Sequence, residues 1–273
     1  MAKHFGKCAL CRKECDLSFE HIPPKSAYNG HPAKAVSGTE FIGNGKLPWD
    51  ISDLHYENLQ RGMGKYSLCN NCNNNTGTWY GEEYLKIARA AAYVLSLTNK
   101  EEVTSFKVLD FYPLRFVKQV LSMFCSINNF EDKRIERLRE FVLDKTATNL
   151  DSSKYKLCMY FTESKLQKLN GLSVHIVMHE NSFISLALSE ISVAPLGFIL
   201  YFNPIKEWEY KGIDITNFCS ANYEEKGEIK FPFTLFEVNS WISEDYRTKE
   251  EIEQCVEENK KWEEEHKDEL DGI

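Results

Sequence analysis

Long hydrophobic runs are missing from this sequence. The longest, residues 191–202, is broken by Pro195 and Gly197 and falls short of the roughly 20 residues a helix needs to cross a bilayer. The opening, MAKHFGKC, lacks the apolar core of a secretory leader. The expectation is a cytoplasmic protein without a membrane partner. An excess of positive charge is missing too: 33 Lys and Arg face 41 Asp and Glu, a net charge of −8. Over the whole chain, that balance argues against a surface that grips phosphates everywhere. Disorder is excluded by what is present, since 42% of residues are hydrophobic and 13% aromatic, enough to bury a core.

The negative charge is local. From Glu244 onward there are 13 acidic and 5 basic residues, which leaves 28 of each sign in the body. A neutral body removes the objection to a nucleic-acid partner without supporting one. The tail reads as a charged helix over 249–269, with sparse apolar positions at Ile252, Val256 and Trp262. Its expected state is solvated. Lying near a nucleic-acid site it would repel phosphates, and salt would screen that repulsion.

Nine cysteines are many for a reducing compartment. Four fall in two pairs, Cys8-Ala-Leu-Cys11 and Cys69-Asn-Asn-Cys72. Both sulfurs of a CxxC turn can reach one ion, and two such turns complete the tetrahedron zinc prefers. The reading is a structural Zn2+ on Cys8, Cys11, Cys69 and Cys72, with Cys15 as an extra or competing ligand. Cys125, Cys158 and Cys219 lie in apolar stretches and read as core; Cys255 falls in the tail.

Residues 1–80 are Gly-rich, with an Asn-rich stretch over 70–75. Such a segment builds little core, so folding energy from a metal fits it. After Gly81 the composition changes. A helix is expected over 82–97 with Leu85, Ala88, Ala92 and Leu95 on one face. Pro113, favourable in a first turn, opens a second, striped by Val117, Val120, Leu121, Phe124 and Ile127. A third covers 132–144, with Ile135, Leu138 and Val142 inward. Strands follow at 156–161, 173–179, 182–188, 194–202 and 228–238. The expected fold class is α+β. A small zinc-stapled module spans 1–80. An accessory domain spans 81–243, with helices over 81–148 and an antiparallel sheet over 150–240. An acidic helical tail spans 244–273.

Between the cysteine pairs lies Phe19-Glu20-His21-Ile22-Pro23-Pro24-Lys25, and the second pair continues as Asn73-Asn74-Asn75-Thr76-Gly77. Phosphodiester hydrolysis by a divalent ion needs few protein ligands, so that positions stay open for phosphate and water. Glu20 offers a hard carboxylate and Asn73 a carbonyl oxygen, a poor zinc pair and a suitable magnesium one. A neutral imidazole at His21 suits proton abstraction from water at cellular pH. Adjacent strand residues point to opposite faces, so a twist or bulge has to aim Glu20 and His21 at one phosphate. Singly, these are a turn histidine, a solvated carboxylate and a helix cap. Their joint placement against both cysteine pairs favours chemistry.

Across residues 8–77, this order and spacing resembles the treble-clef branch of the HNH (ββα-metal) nuclease family. That branch has a CxxC knuckle, a hairpin ending in Asp-His or Glu-His before proline, and a second CxxC followed at once by His or Asn. The Glu-His-Ile-Pro-Pro-Lys form is similar to a subset of bacterial proteins, some of them from antiviral defence. The resemblance implies a metal-dependent endonuclease acting on nucleic acid, DNA favoured. His21 would be the general base, and Glu20 and Asn73 would hold a catalytic Mg2+ or Mn2+. Tyr56-Glu57-Asn58-Leu59-Gln60 resembles the family's Asn-Leu segment, in which the Asn58 amide would orient His21. The interval from Asn58 to Cys69 is longer than usual in the family. Lys25, Arg61 and Lys65 would hold phosphates; His31 and His55 are second-tier candidates. Residues 81–273 would position, regulate or dimerise the nuclease, through a homodimer or a regulatory partner. The alternative is a zinc-finger module that binds nucleic acid or a partner without cutting.

Overall fold

The computed structural model describes residues 4–42, 46–179, 182–206 and 208–266. The chain opens with a hairpin of β1 (His4–Lys7) and β2 (Glu14–His21). Its turn is closed by the Arg12 N–H donating to the Cys8 carbonyl, with Arg12 at a left-handed φ of 62°. Next, β3 (Ala33–Val36) and β4 (Tyr56–Leu59) form a separate two-stranded ladder. Then β5 (Gly64–Cys69) returns beside β2, giving the sheet order β1-β2-β5. It passes directly into α1 (Asn70–Leu95), whose N-cap is Cys69.

That helix starts well before residue 82. Its first turns are Asn-rich and intrinsically poor helix formers. The Cys69 cap and the burial of Cys72, Thr76 and Tyr80 hold them helical nonetheless. Its buried face carries Tyr80, Tyr84, Ile87, Ala88, Ala91 and Val94. The expected stripe through Leu85, Ala92 and Leu95 is therefore rotated, because the large Tyr80 and Tyr84 rings set which side faces inward. Residue 80, the expected module boundary, lies inside this continuous helix. A single buried cluster takes Ile22 and Leu68 from one side of it and Val117, Phe124 and Phe198 from the other.

Beyond β6 (Ser105–Phe111), Pro113 opens α2 (Pro113–Ile127), and Asp132 caps α3 (Lys133–Leu143) by accepting the Arg134 N–H at 2.7 Å. The expected apolar stripe of α2 is buried, and so are Lys118, Gln119, Ser122 and Ser126. A helix enclosed nearly all round is the centre of the molecule rather than its surface.

The second half is a five-stranded antiparallel sheet. Its strands are β7 (Tyr155–Phe161), β8 (Lys168–His179), β9 (Ser182–Val193), β10 (Leu196–Phe202) and β11 (Ile213–Asp214). They run in the order β11-β7-β10-β9-β8. One face joins the main core, where Phe198 meets Phe116 and Tyr84. The other carries a second cluster of Tyr160, Leu188, Ile199 and Tyr201, covered by Trp208, Phe236 and Tyr246. The last strand, β12 (Gly227–Pro232), pairs with β6 instead. It stops at Pro232, which has no N–H for a ladder, so the expected strand to 238 is cut short. A lone parallel bridge, Phe161 to Leu235, continues the path.

Fully buried between β8 and β9 is the ion pair of Lys168 and Glu190, 3.3 Å apart. The Glu190 carboxylate also accepts Tyr160 OH at 2.6 Å, Tyr246 OH at 3.1 Å and the Glu244 N–H at 2.9 Å. Lys168 completes its set on the Ile242 carbonyl at 2.8 Å. These bonds pin residues 242–246 to the sheet. Thr248 and Glu251 then form a capping box at the start of α4 (Lys249–Glu265). Of its sparse apolar positions only Ile252 is buried, and Trp262 stacks on His266 with 52% of its surface exposed. Lys267, Asp268, Glu269 and Asp271 of the charged tail lie outside the described residues. Among the described residues, no helix is long and apolar enough to cross a membrane.

Removing one partner of a buried ion pair costs about 3–5 kcal/mol. Lys168→Met should sit at the low end, near 3 kcal/mol, because Tyr160, Tyr246 and the Glu244 amide still donate to Glu190. Urea unfolding followed by tryptophan fluorescence should show the lower midpoint; an unchanged midpoint would contradict this account.

Candidate functional site

Two chain segments meet through their cysteines. The turn after β1 carries Cys8 and Cys11 and is tied to β5 by the Ala9 N–H donating to the Ser67 carbonyl at 2.7 Å. The junction of β5 and α1 carries Cys69 and Cys72. All four sulfurs lie within 4.8 Å of one another. An ion bonded tetrahedrally at about 2.3 Å separates its sulfurs by roughly 3.8 Å, and the Cys11 and Cys69 sulfurs are 3.9 Å apart. Backbone amides already face the cluster: Cys69 N–H donates to Cys8 Sγ at 3.3 Å, and Cys72 N–H to Cys69 Sγ at 3.4 Å. A hydrogen bond from Cys72, with backbone N–H donors, holds Cys8 down to about 4, and the same bond pushes Cys72 far up. Four crowded sulfurs share protons that one divalent cation would replace. These cysteines could hold a structural metal such as zinc. Cys15 lies outside the four, near the Lys13 carbonyl, and Cys125, Cys158 and Cys219 are core residues.

Beside β2 and α1 opens a cavity of about 350 Å3, lined among others by Glu20, His21, Lys25 and Asn73. The neighbours Glu20 and His21 both reach it because the register of β2 against β5 slips between Ser18 and Phe19, and β2 ends at His21. Glu20 is buried, and its Oε2 accepts from Ser67 Oγ at 3.0 Å and from Ser126 Oγ on α2. Its Oε1 takes neither bond. Burial raises the Glu20 carboxyl to about 7, outweighing the two hydroxyls. His21 Nε2 lies 3.1 Å from the Arg61 carbonyl. A carbonyl only accepts, so Nε2 carries the hydrogen and Nδ1 keeps its lone pair. Burial first, then the charges of Lys25 and Arg61, lower the His21 pKa and keep the ring neutral near pH 7. Asn73 Nδ2 donates to Ser18 Oγ at 3.1 Å, and that hydroxyl donates to the Leu68 carbonyl. The Asn73 Oδ1 is left as an acceptor.

Asn58 is exposed on β4, across from Lys34; what His21 Nε2 meets is the Arg61 backbone. The asparagine that shapes the site is Asn29, which sequence reasoning missed. Buried, it donates to the Pro23 carbonyl at 2.6 Å and the Met63 carbonyl at 2.7 Å, and accepts the Met63 N–H at 2.7 Å. It thereby clamps the loop after His21 to the approach of β5. Gly62, at φ +94°, passes so close that a Cβ would sit 2.4 Å from the Asn29 carbonyl. The only signal in the sequence was Asn29-Gly30, which marks a turn and not a clamp. Lys25 is exposed at the cavity, whereas Lys65, His31 and His55 are exposed elsewhere. Gln119, buried on α2, lines the cavity as well and was also missed.

No family model, curated protein or solved structure matches this chain.

Two outcomes follow from this geometry. Purified protein should carry about one zinc per chain, as four thiolates require. Cys69→Ser should lose that metal and unfold at lower temperature; full zinc and unchanged unfolding would contradict the cluster. The second concerns pH. The Glu20 pKa is about 7 in the fold against 4.5 ordinarily. Its burial therefore favours the fold only while it is protonated, and stability is lost as pH rises from about 4.5 to about 7. Without divalent cation beyond zinc, Glu20→Gln should be more stable than the parent at pH 8 by on the order of 3 kcal/mol. The gap should close near pH 4. A gap independent of pH would show that Glu20 does not titrate this way.

Proposed function

We propose that the chain is a metal-dependent endonuclease of the HNH type, with a treble-clef zinc staple and nucleic acid, DNA favoured, as its substrate. One observation carries this reading: His21, whose Nδ1 has no hydrogen-bond partner among the described residues, the buried Glu20 and Asn73 line a single cavity beside a four-cysteine cluster. Glu20 and Asn73 would hold a catalytic Mg2+ or Mn2+. When bound, that ion would neutralise charge on the phosphate and the departing oxygen. His21 Nδ1 takes a proton from water as the water oxygen bonds to phosphorus. The phosphorus–oxygen bond to the leaving sugar breaks, and that oxygen gains a proton from solvent. The Arg61 carbonyl steadies the resulting imidazolium, and Lys25 draws the phosphate in. A role in bacterial antiviral defence, with residues 81–273 acting as regulator or dimerising surface, belongs to the same proposal.

The rival reading, a zinc-finger binding module without chemistry, predicts that His21 is dispensable. On the nuclease reading, His21→Ala should lower cleavage of supercoiled plasmid by about a hundredfold or more, the usual contribution of a general base. Zinc content and thermal unfolding should not change. Asn73→Ala should shift the manganese dependence to higher concentration. Equal cutting by parent, His21→Ala and Asn73→Ala would remove this site from consideration.

A further inference from the structure

The net charge of −8 hides one place where cations crowd together. A second cavity, of about 160 Å3, opens between the start of α3 and the start of β7, and it shares no lining residue with the cavity at His21. Lys133, Arg134, Arg137 and Lys154 line it, together with Tyr155 and Asn203, and no carboxylate does.

This crowding runs against local electrostatics. Lys133 and Arg134 are the first two residues of α3, where the helix dipole favours anions and opposes cations. Lys133 and Arg137 stand four apart on that helix, a like-charge spacing that destabilises it. Arg134 is answered by Asp132, whose two oxygens accept from its guanidinium at 3.0 and 2.8 Å. The other acids nearby are engaged or turned elsewhere. Asp151 Oδ1 accepts the Ser153 N–H at 2.9 Å and its hydroxyl at 2.6 Å. Those bonds, and then the charges of Lys154 and Arg137, hold the Asp151 carboxyl below its usual range. Glu136, exposed in the first turn of α3, does not line the cavity. Among the described residues, the exposed Lys133, Arg137 and Lys154 form no ion pair with a carboxylate. Their mutual repulsion is a cost that an anion seated among them would remove.

The size and the donors restrict that anion. At about 160 Å3, the cavity is smaller than the roughly 300–1,000 Å3 of pockets that enclose whole small molecules. One anionic group fits it. The Arg137 guanidinium offers a flat fork of N–H donors that matches two oxygens of a phosphate, and Lys133 and Lys154 add point charges. Three cations around one concavity suit phosphate over carboxylate, because its oxygens diverge tetrahedrally.

We infer that this cleft is a phosphate site, in which Lys133, Arg137 and Lys154 hold one phosphate group away from the His21 cavity. The group belongs either to a nucleic-acid backbone or to a free phosphorylated molecule. The site goes beyond the nuclease reading and does not rest on it.

The test uses the full, zinc-replete chain in low-salt chloride buffer, titrated with inorganic phosphate in a calorimeter. The parent should bind phosphate. Arg137→Gln combined with Lys154→Gln should weaken that binding by about tenfold or more, as expected for lost charge-assisted bonds. In phosphate-free buffer the double variant should melt no lower than the parent, because like-charge repulsion is relieved. Anisotropy with a labelled DNA duplex then names the source of the phosphate. A shallower salt dependence in the variant assigns a nucleic-acid backbone; an unchanged one, or no DNA binding by either protein, assigns a free phosphorylated molecule. No phosphate bound by the parent, or equal binding by parent and variant, would overturn the site. So would a variant that melts well below the parent without phosphate, which would show that the cations serve the fold. Cleavage by the parent and by His21→Ala reports on the nuclease reading separately.

Discussion

Everything in the amino-terminal part depends on bringing four sulfurs to one point. Cys11 and Cys69 are 58 residues apart in sequence, and across that loop the other ties are the β2–β5 ladder, the burial of Ile22 and Leu68, and the Asn29 clamp. Closing it costs entropy that grows only slowly with length, so a single metal site supplying folding energy can hold the ends together. The consequence reaches beyond the cluster. Cys69 caps α1, Cys72 lies in its first turn, and Asn73 follows immediately. Cys8 sits at the foot of the hairpin whose far strand ends in Glu20 and His21. Fixing the sulfurs therefore fixes the distance between the two sides of the cavity.

The cavity is not the property of a detachable finger. Ser126 of α2 donates to Glu20, Gln119 of the same helix lines the cavity, and the buried Arg139 of α3 donates to the Ala9 carbonyl at 2.7 Å. The central helix thus sets the polarity around the carboxylate, while the five-stranded sheet packs on that helix from behind. A rigid backing of this kind suits a site that must hold a buried carboxyl near neutrality and an imidazole in one tautomer.

Features encoded by local spacing were legible in the sequence. The two CxxC pairs, Pro113 at the start of α2 and the strands rich in β-branched and aromatic residues needed no tertiary knowledge. The early start of α1 was hidden because an Asn-rich stretch has poor helix propensity, and only the Cys69 cap and the burial of Tyr80 overrule it. Asn58 drew attention through its neighbours as the amide that would orient His21, and it lies exposed on β4; the backbone bridge made by Asn29 was hidden because it depends on which two loops happen to meet. Gln119 was invisible for the opposite reason: it stands within an apolar helix whose whole circumference is enclosed, so its neighbours announce a core position. Glu20 and His21 could be named as a pair, but how adjacent strand residues share one cavity required the bulge beside Phe19.

On the proposed reading, the cysteine cluster and the cavity lined by Glu20, His21 and Asn73 form one device. Electron paramagnetic resonance of Mn2+ titrated into zinc-replete and zinc-depleted protein tests it most directly. The account predicts about one tightly bound manganese per zinc-replete chain, as a single open site would hold, and loss of that site when zinc is withdrawn. Manganese bound equally well with and without zinc, or not at all in the zinc-replete protein, would contradict it.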